Sequence, residues 1–331
     1  MILSKLLDAN ELWKRGVTQN SLAEMTGLSA TYLNQLKREV IKKPKRDRII
    51  SIGVAINLTS KGISELLKEH GYPNLTKRDA DILLNLATNW NIKEIQPLFF
   101  SDLFNNIYNI SVAKLSGDEI LVGNRPPSFF RSSEHRRFVD REIKGIDEES
   151  YHYLKDELIN KRRLLFEQNI SDYKTTHYIC YGCFREYINF AIGKKEEKKG
   201  GEREAQFLIS FLKKILYYLI NNKNYELYFI DYCPHLGFYL KYAPNKDLKS
   251  RDNKVIFYGQ VPVPIGEQHK KIKTKLYGEV TGRMLGYATD KPKIFSNFHF
   301  QSELIQESII DGLTEKVAVC KEIEDCIKEL N

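Results

Sequence analysis

Hydrophobic positions near the N-terminus recur at the spacing of two short helices. Residues 18–38 read TQNSLAEMTGLSATYLNQLKR, in which Thr18 and Ser29 are residue types that commonly cap helices. Gly27 lies between the two segments and suits a sharp turn, because glycine enters left-handed backbone conformations without steric cost. The apolar positions that the helices would turn inward are Leu22, Ala23, Met25, Tyr32, Leu33 and Leu36. The pattern therefore predicts two helices joined by a tight turn.

The second of these helices leaves a polar face outward. Its outward residues are Ala30, Thr31, Asn34, Gln35 and Lys37. Asparagine and glutamine side chains can bond adenine through two hydrogen bonds, and a threonine methyl can contact the methyl group of thymine. This face suits a helix that enters the major groove of DNA, although two amphipathic helices joined by glycine also occur in many helical proteins.

Basic residues follow directly after the second helix. Between positions 37 and 48 the chain carries Lys37, Arg38, Lys42, Lys43, Lys45, Arg46 and Arg48, against Glu39 and Asp47. The net charge of +8 and the pI near 9.0 favour a polyanionic partner only weakly. A charge run is usually a solvated surface, but beside this helix pair it favours contact with DNA phosphates.

Residues 47–75 predict two further amphipathic helices. Their inward positions are Ile49, Ile52, Ala55 and Ile56 in the first, and Ile63, Leu66 and Leu67 in the second. With these helices, residues 1–75 resemble the Xre/Cro/C1-repressor family of helix-turn-helix domains. The matching features are the core T-Q-x-x-L-A-x-x-T-G-L-S, the basic stretch with Pro44, the helix I-x-x-x-x-A-I-N-L-T and the ending SELLKEHGYPNL.

The resemblance implies a sequence-specific transcriptional regulator that binds double-stranded DNA as a homodimer on two half-sites. It implies that Gln19 contacts phosphate and that Ala30, Thr31 and Asn34 face the bases. The predicted DNA-binding residues are Thr18, Gln19, Ser29, Ala30, Thr31, Asn34, Gln35, Lys37, Arg38, Lys42, Lys43, Lys45 and Arg46. The recognition helix spans about 29–38, and its end is unfixed because Glu39 and Val40 stand where many relatives have glycine.

Residues 76–147 are predicted to form a connector helix and a loop-rich hinge. The apolar residues through 82–90 predict an amphipathic helix over 76–96, which Thr76 can cap. It is either a connector or dimerisation helix or a plain packing helix. Turn-rich sequence follows at 116–118 and 123–127, which favours loops.

Residues 148–331 predict an α+β domain with an antiparallel sheet. Strands are expected at 175–180, 226–230, 237–242, 254–259 and 275–280, with helices at about 151–165, 202–221, 301–313 and 315–330. The complete fold class is thus an all-α helix-turn-helix domain followed by this α+β domain. The second domain suits dimerisation or sensing, and its many aromatic residues would line a pocket for a small-molecule effector or form the sheet core.

Four residues of the second domain are candidate metal ligands. Cys180 and Cys183 form C-x-x-C, and Cys233 lies two residues before His235. Three thiolates and an imidazole would suit tetrahedral zinc, but the spacing is not that of a standard zinc knuckle, and free cysteines often pack as small hydrophobic residues. A redox switch is a further alternative, so neither metal nor cofactor is assigned.

Catalytic motifs are missing from the sequence. The chain lacks the phosphate-binding loop G-x-x-x-x-G-K-[ST], the elbow G-x-S-x-G and the helix H-E-x-x-H, so no catalytic residue and no enzymatic activity are predicted. Two alternatives stay open: an enzyme or defence effector with a DNA-binding head, and an antitoxin-like interaction module. Five cysteines and the lack of a secretory signal or a long apolar run favour a reducing cytoplasm, without a membrane partner.

Overall fold

A computed structural model describes residues 3–14, 17–56, 58, 60–89, 95–99, 102–136, 149–196, 201–234, 236–259 and 285–331. The chain divides into two compact units. The first consists of Met1–Lys114, Ile146–Arg162 and Gly282–Ala288; the second consists of Leu115–Gly145, Arg163–Thr281 and Thr289–Asn331.

The first 114 residues are mainly helical. Their helices are α1 (Leu3–Leu6), α2 (Ala9–Lys14), α3 (Gln19–Thr26), α4 (Ala30–Lys37), α5 (Arg46–Ala55), α6 (Ser60–Glu69), α7 (Ala80–Asn89) and α8 (Asp102–Ala113). The 3₁₀ turn Lys77–Asp79 precedes α7, and strand β1 spans Ile95–Phe99.

The caps predicted for α3 and α4 are confirmed. The Thr18 hydroxyl accepts a hydrogen bond from the Ser21 backbone, and the Ser21 hydroxyl accepts one from the Thr18 backbone, which satisfies two amides at the start of α3. Gly27 ends α3 with φ +67°, and Ser29 caps α4 through the Tyr32 amide. Interactions between residues close in sequence thus determine where α3 ends and where α4 begins.

The structure fixes the end of α4 just before Glu39. The helix ends at Lys37, Arg38 is its C-cap, and Glu39 takes φ +57°, the left-handed conformation that glycine adopts most readily. The Ser4 hydroxyl donates a hydrogen bond of 2.7 Å to the Glu39 carboxylate. Glu39 therefore occupies the conformation of a helix-ending glycine.

Helices α5 and α6 supply much of the core of the first unit. Their predicted inward residues Ile49, Ile52, Ala55, Ile56, Ile63, Leu66 and Leu67 are all buried. The two helices meet closely at Gly53, where a Cβ atom would lie 2.9 Å from Cγ1 of Ile63. Both predicted helices are confirmed, and this close approach accounts for the glycine.

The predicted connector helix and loop-rich hinge contain more regular structure than the sequence indicated. Within the helix predicted over 76–96, the structure has α7 as far as Asn89, residues 90–94 lie outside the described residues, and strand β1 begins at Ile95. Helix α8 and strand β2 (Glu119–Gly123) then occupy part of the segment predicted as loop. The turn residues on both sides of β2 favoured a loop in the sequence prediction, whereas pairing with neighbouring strands stabilises a strand there.

The rest of the chain alternates strands and helices. Its further strands are β3 (Thr175–Cys180), β4 (Tyr225–Ile230), β5 (Leu236–Lys241), β6 (Lys254–Gly259) and β7 (Leu285–Thr289). Its helices are α9 (Glu149–Asp172), α10 (Tyr181–Glu196), α11 (Gly201–Asn221), α12 (Pro292–Gln306) and α13 (Lys316–Leu330). The strand predicted at 275–280 lies outside the described residues, and the helix predicted at 301–313 is replaced by α12.

The sheet of the second unit is mixed, which corrects the antiparallel prediction. Strands β6, β5, β2, β3 and β4 lie side by side in that order. β5 pairs antiparallel with β6 and with β2, whereas β2, β3 and β4 run parallel to one another. Parallel neighbours require long crossovers, and α9 to α11 lie in the connections between these strands.

Aromatic residues fill both faces of this sheet. On one face Phe295 and Phe298 of α12 pack with Phe238 and Tyr242. On the other, Phe130, Phe166, His177, Tyr218 and Tyr225 form a cluster of ring contacts. Much of the aromatic content is therefore sheet core. None of the helices among the described residues has the length and apolar character needed to cross a membrane.

One ion pair is fully buried between two neighbouring strands. Glu119 of β2 lies opposite Lys241 of β5, and the lysine Nζ is 2.8 Å from the glutamate Oε1. Lys241 also donates to the Asn169 Oδ1 at 2.7 Å, and the Tyr239 hydroxyl donates to Glu119 at 2.7 Å. These hydrogen bonds offset the cost of removing both charges from water.

Candidate nucleic-acid interface

Helix α4 presents to solvent the residues that the sequence predicted for base contact. Ala30, Thr31, Asn34 and Gln35 are exposed, whereas Leu33 and Leu36 on the opposite side are 2% and 3% exposed. The apolar residues anchor the helix to the first unit. Four small or amide-bearing side chains are thereby fixed along one accessible face.

A hydrogen bond joins the side chains of Gln19 and Asn34. Nε2 of Gln19, the first residue of α3, donates to Oδ1 of Asn34 on α4 over 2.9 Å. The bond orients the Asn34 amide so that its Nδ2 remains available as a donor, and the second lone pair of Oδ1 remains available as an acceptor. Gln19 thus acts on Asn34, in addition to the phosphate contact that the resemblance implied.

Thr18 and Ser29 are placed at the starts of α3 and α4. Both residues are exposed, and both hydroxyls already accept a backbone amide as helix caps. The Thr18 hydroxyl also donates its proton to Oγ of Ser21 over 3.1 Å, whereas the Ser29 hydroxyl keeps a proton that it can donate to a phosphate oxygen. The exposed amino end of a helix also favours a nearby anion.

Three lysines of the basic run are exposed between α4 and α5. Lys42, Lys43 and Lys45 lie on the surface, and so does Arg38 at the end of α4. The Lys43 Nζ lies 5.4 Å from the ring centre of Tyr72, whose hydroxyl donates to the Pro44 carbonyl oxygen. The tyrosine thereby supports the loop that carries the lysines.

Lys37 and Arg46 have partners inside the first unit. Lys37 lies 3.6 Å from the carboxylate of Asp8. The Arg46 guanidinium bonds both carboxylate oxygens of Asp79 and the carbonyl oxygens of Pro73 and Asn74. Arg46 thus holds the start of α5 to the segment before α7. This structural role explains an arginine at position 46 without any contact to DNA.

The prediction overlooked Arg48 as a residue of this surface. Its guanidinium carbon lies 4.2 Å from the ring centre of Tyr32, a half-buried residue of α4. The stacking places a permanent cation beside the helix with the exposed amides. The spacing between positions 32 and 48 gave no signal for this contact, because the intervening loop brings them together.

The candidate metal residues of the second unit are brought together in part. Sulfur atoms of Cys180, Cys183 and Cys233 lie within 4.8 Å of one another, and His235 lies outside the described residues. Burial raises the pKa of Cys233, and also that of Cys183. As thiols, these residues are therefore poorly ionised.

A cavity of about 330 Å³ opens at the starts of β2 and β3. Its lining residues are Asp118, Glu119, Ile120, Lys174, Thr176, Tyr178, Tyr242, Lys246, Leu248, His299 and Gln306. The Tyr242 hydroxyl lies 2.9 Å from Nδ1 of His299, and burial raises the pKa of Tyr242 to about 12. The mixture of charged and aromatic groups suits a small polar molecule.

Comparisons with known proteins give no assignment beyond the sequence resemblance. The chain matches no protein-family model, no curated protein and no solved structure.

Proposed function

We propose that the first unit binds double-stranded DNA with α4 in the major groove, and that the protein regulates transcription at specific sites. The observation that carries the proposal is the exposed face of α4, with Asn34 oriented by Gln19. Amide and methyl groups near the start of a helix can read base edges, and the lysines after α4 can hold phosphates. The resemblance of residues 1–75 to Xre-type regulators supports the same function.

We propose further that the regulator acts as a homodimer. Helix-turn-helix dimers read two half-sites one turn of DNA apart, about 34–36 Å. The second unit would provide dimerisation, and its cavity would accept the effector. Sedimentation of the full chain with a fragment that carries two half-sites should therefore give two chains per duplex.

Fluorescence anisotropy tests the main proposal. The full chain is titrated against the DNA upstream of its own gene and against a shuffled fragment, at two salt concentrations. We expect tight binding to the native fragment, weaker binding to the shuffled one and a steep loss of affinity with salt. Equal affinity for both fragments would contradict site-specific recognition.

Asn34→Ala should selectively weaken binding to the native fragment. Because the substitution removes a base-reading amide, we expect a loss of about 1–3 kcal/mol there, with binding to the shuffled fragment unchanged. Asn189→Ala, at an exposed position of α10 in the second unit, is the matched control. An unaltered preference in the Asn34 variant would remove this residue from base reading.

A further inference from the structure

The topology of the second unit brings three cysteines together at the carboxyl ends of two neighbouring strands. Cys180 is the last residue of β3, and Cys183 lies in the first turn of α10. β4 runs parallel to β3 with Ile230 opposite Cys180, and Cys233 follows three residues later. Carboxyl ends of parallel neighbours lie at the same edge, so residues 50 positions apart converge there.

Distances between the sulfur atoms suit a shared metal ion. All three lie within 4.8 Å of one another, and the Sγ atoms of Cys183 and Cys233 are 3.4 Å apart. Zinc–sulfur bonds measure about 2.3 Å, which places two sulfurs of a tetrahedral site about 3.8 Å apart. Shifts of a few tenths of an ångström to about one ångström would therefore complete the geometry.

The surroundings of the sulfurs favour thiolates once a cation is present. The backbone N–H of Cys183 donates to Sγ of Cys180 over 3.4 Å. The amino end of α10 adds a partial positive charge beside both residues. Cys180 and Cys183 are 3% and 8% exposed, so the side chains lie largely out of water.

We propose that Cys180, Cys183 and Cys233 bind one soft metal ion, with Zn²⁺ as the ion. Sulfur ligands select Zn²⁺ over hard cations such as Mg²⁺ and Ca²⁺. On binding, each Sγ–H gives its proton to solvent and each thiolate donates a lone pair to the metal. The three sulfurs leave one tetrahedral position for a fourth ligand. The ion would link the ends of β3 and β4 to the start of α10, independently of DNA binding.

Metal analysis of the full chain tests this proposal. The protein is purified anaerobically under a phosphine reductant, and bound metal is measured before and after Zn²⁺ addition. We expect one Zn²⁺ per chain, and a thiolate-to-metal charge-transfer absorption when Co²⁺ replaces it. Cys183→Ser and Cys233→Ser should each lower Zn²⁺ affinity at least about tenfold against a chromophoric chelator. Cys320→Ser, at a half-buried cysteine of α13, should bind like the parent chain.

Unmodified protein provides a second test that does not depend on folding of the variants. A mercurial reagent that modifies thiols should release the bound Zn²⁺, and a chelator should lower the melting temperature of the parent and of Cys320→Ser. The proposal is overturned if the reduced chain binds neither Zn²⁺ nor Co²⁺. A bound Co²⁺ without thiolate absorption would also overturn it, and so would a Cys183–Cys233 disulfide in the reduced preparation.

Discussion

His135 is completely buried in the second unit, where its ring stacks on that of Phe207 at a centroid distance of 5.3 Å. Its Nε2 lies 3.3 Å from the Tyr187 hydroxyl. Burial lowers the pKa of His135 to about 3, and the charges of Arg131 and Arg136 contribute in the same direction. The folded protein therefore keeps this imidazole neutral across the range in which a free histidine takes up a proton.

His135→Phe should make the second unit less sensitive to acid. Between about pH 6.5 and pH 3 the unfolded chain binds a proton on this histidine and the folded chain does not. The free energy of unfolding therefore decreases by up to about 1.4 kcal/mol for each unit by which the pH is lowered. The phenylalanine keeps an aromatic ring beside Phe207 and cannot titrate. Urea unfolding between about pH 7 and pH 4 should show a shallower decline for the variant; equal slopes would exclude a contribution from His135.

At the scale of elements, the turn between α3 and α4 depends on the left-handed backbone of Gly27. A Cβ added there would meet no atom within 4 Å, so the cost of a side chain lies in the backbone conformation. We expect Gly27→Ala to reduce the free energy of unfolding by about 1 kcal/mol.

Gly193 provides the matched control, because a Cβ there also meets nothing within 4 Å but the residue lies inside α10. Gly193→Ala should raise the free energy of unfolding by up to about 1 kcal/mol, since alanine favours helix. Urea unfolding should thus give changes of opposite sign for the two variants. An unchanged free energy of unfolding in Gly27→Ala would show that the turn can adopt another backbone conformation at no cost.

The buried Glu119–Lys241 ion pair joins the side chains of β2 and β5. Lys241→Met should destabilise the protein by about 3–5 kcal/mol, because it leaves a carboxylate without its cation away from water. Lys241→Met with Glu119→Gln removes both charges and should recover much of the loss. Urea unfolding of the single and double variants measures this coupling, and additive losses would mean that the two charges act independently.

The sequence predicted those elements whose signals are local. Thr18, Ser29 and Gly27 mark the ends of α3 and α4 within a few residues, and the structure has both helices there. The mixed sheet could not be predicted in the same way. β2 is a short strand between turns, and its pairing depends on partners such as Lys241, 122 residues from Glu119.

In the candidate interface, too, local features could be predicted from the sequence and long-range contacts could not. Helical periodicity identified the exposed face of α4, because the buried side is defined by neighbouring apolar residues. It could not separate Arg46 from the surrounding lysines, since the partner Asp79 lies 33 positions away. The meeting of Cys233 with Cys180 likewise depends on two parallel strands with a long crossover between them.

For the whole molecule, the basic residues after α4 predict how binding depends on salt. Replacing Lys42, Lys43 and Lys45 by alanine should weaken binding to native and shuffled DNA about equally. The salt slope should become shallower by about 0.9 for each lost phosphate contact.

The control replaces the exposed lysines Lys213, Lys223 and Lys249 of the second unit by alanine. Both triple variants lower the formal net charge of +8 by the same three units. Anisotropy titrations over a salt series separate a local interface from the overall charge. Equal slopes in the two variants would show that Lys42, Lys43 and Lys45 are solvated surface.

The hydrogen bond between Gln19 and Asn34 has a consequence for how a DNA preference could evolve. Since the glutamine sets the orientation of the asparagine amide, the two residues, 15 positions apart in the sequence, would act together on one base when α4 binds DNA as proposed. A change at position 19 could alter the preferred base without any change on α4. Relatives with the same α4 could then recognise different operators, and a recognition code compiled from that helix alone would assign them the same one.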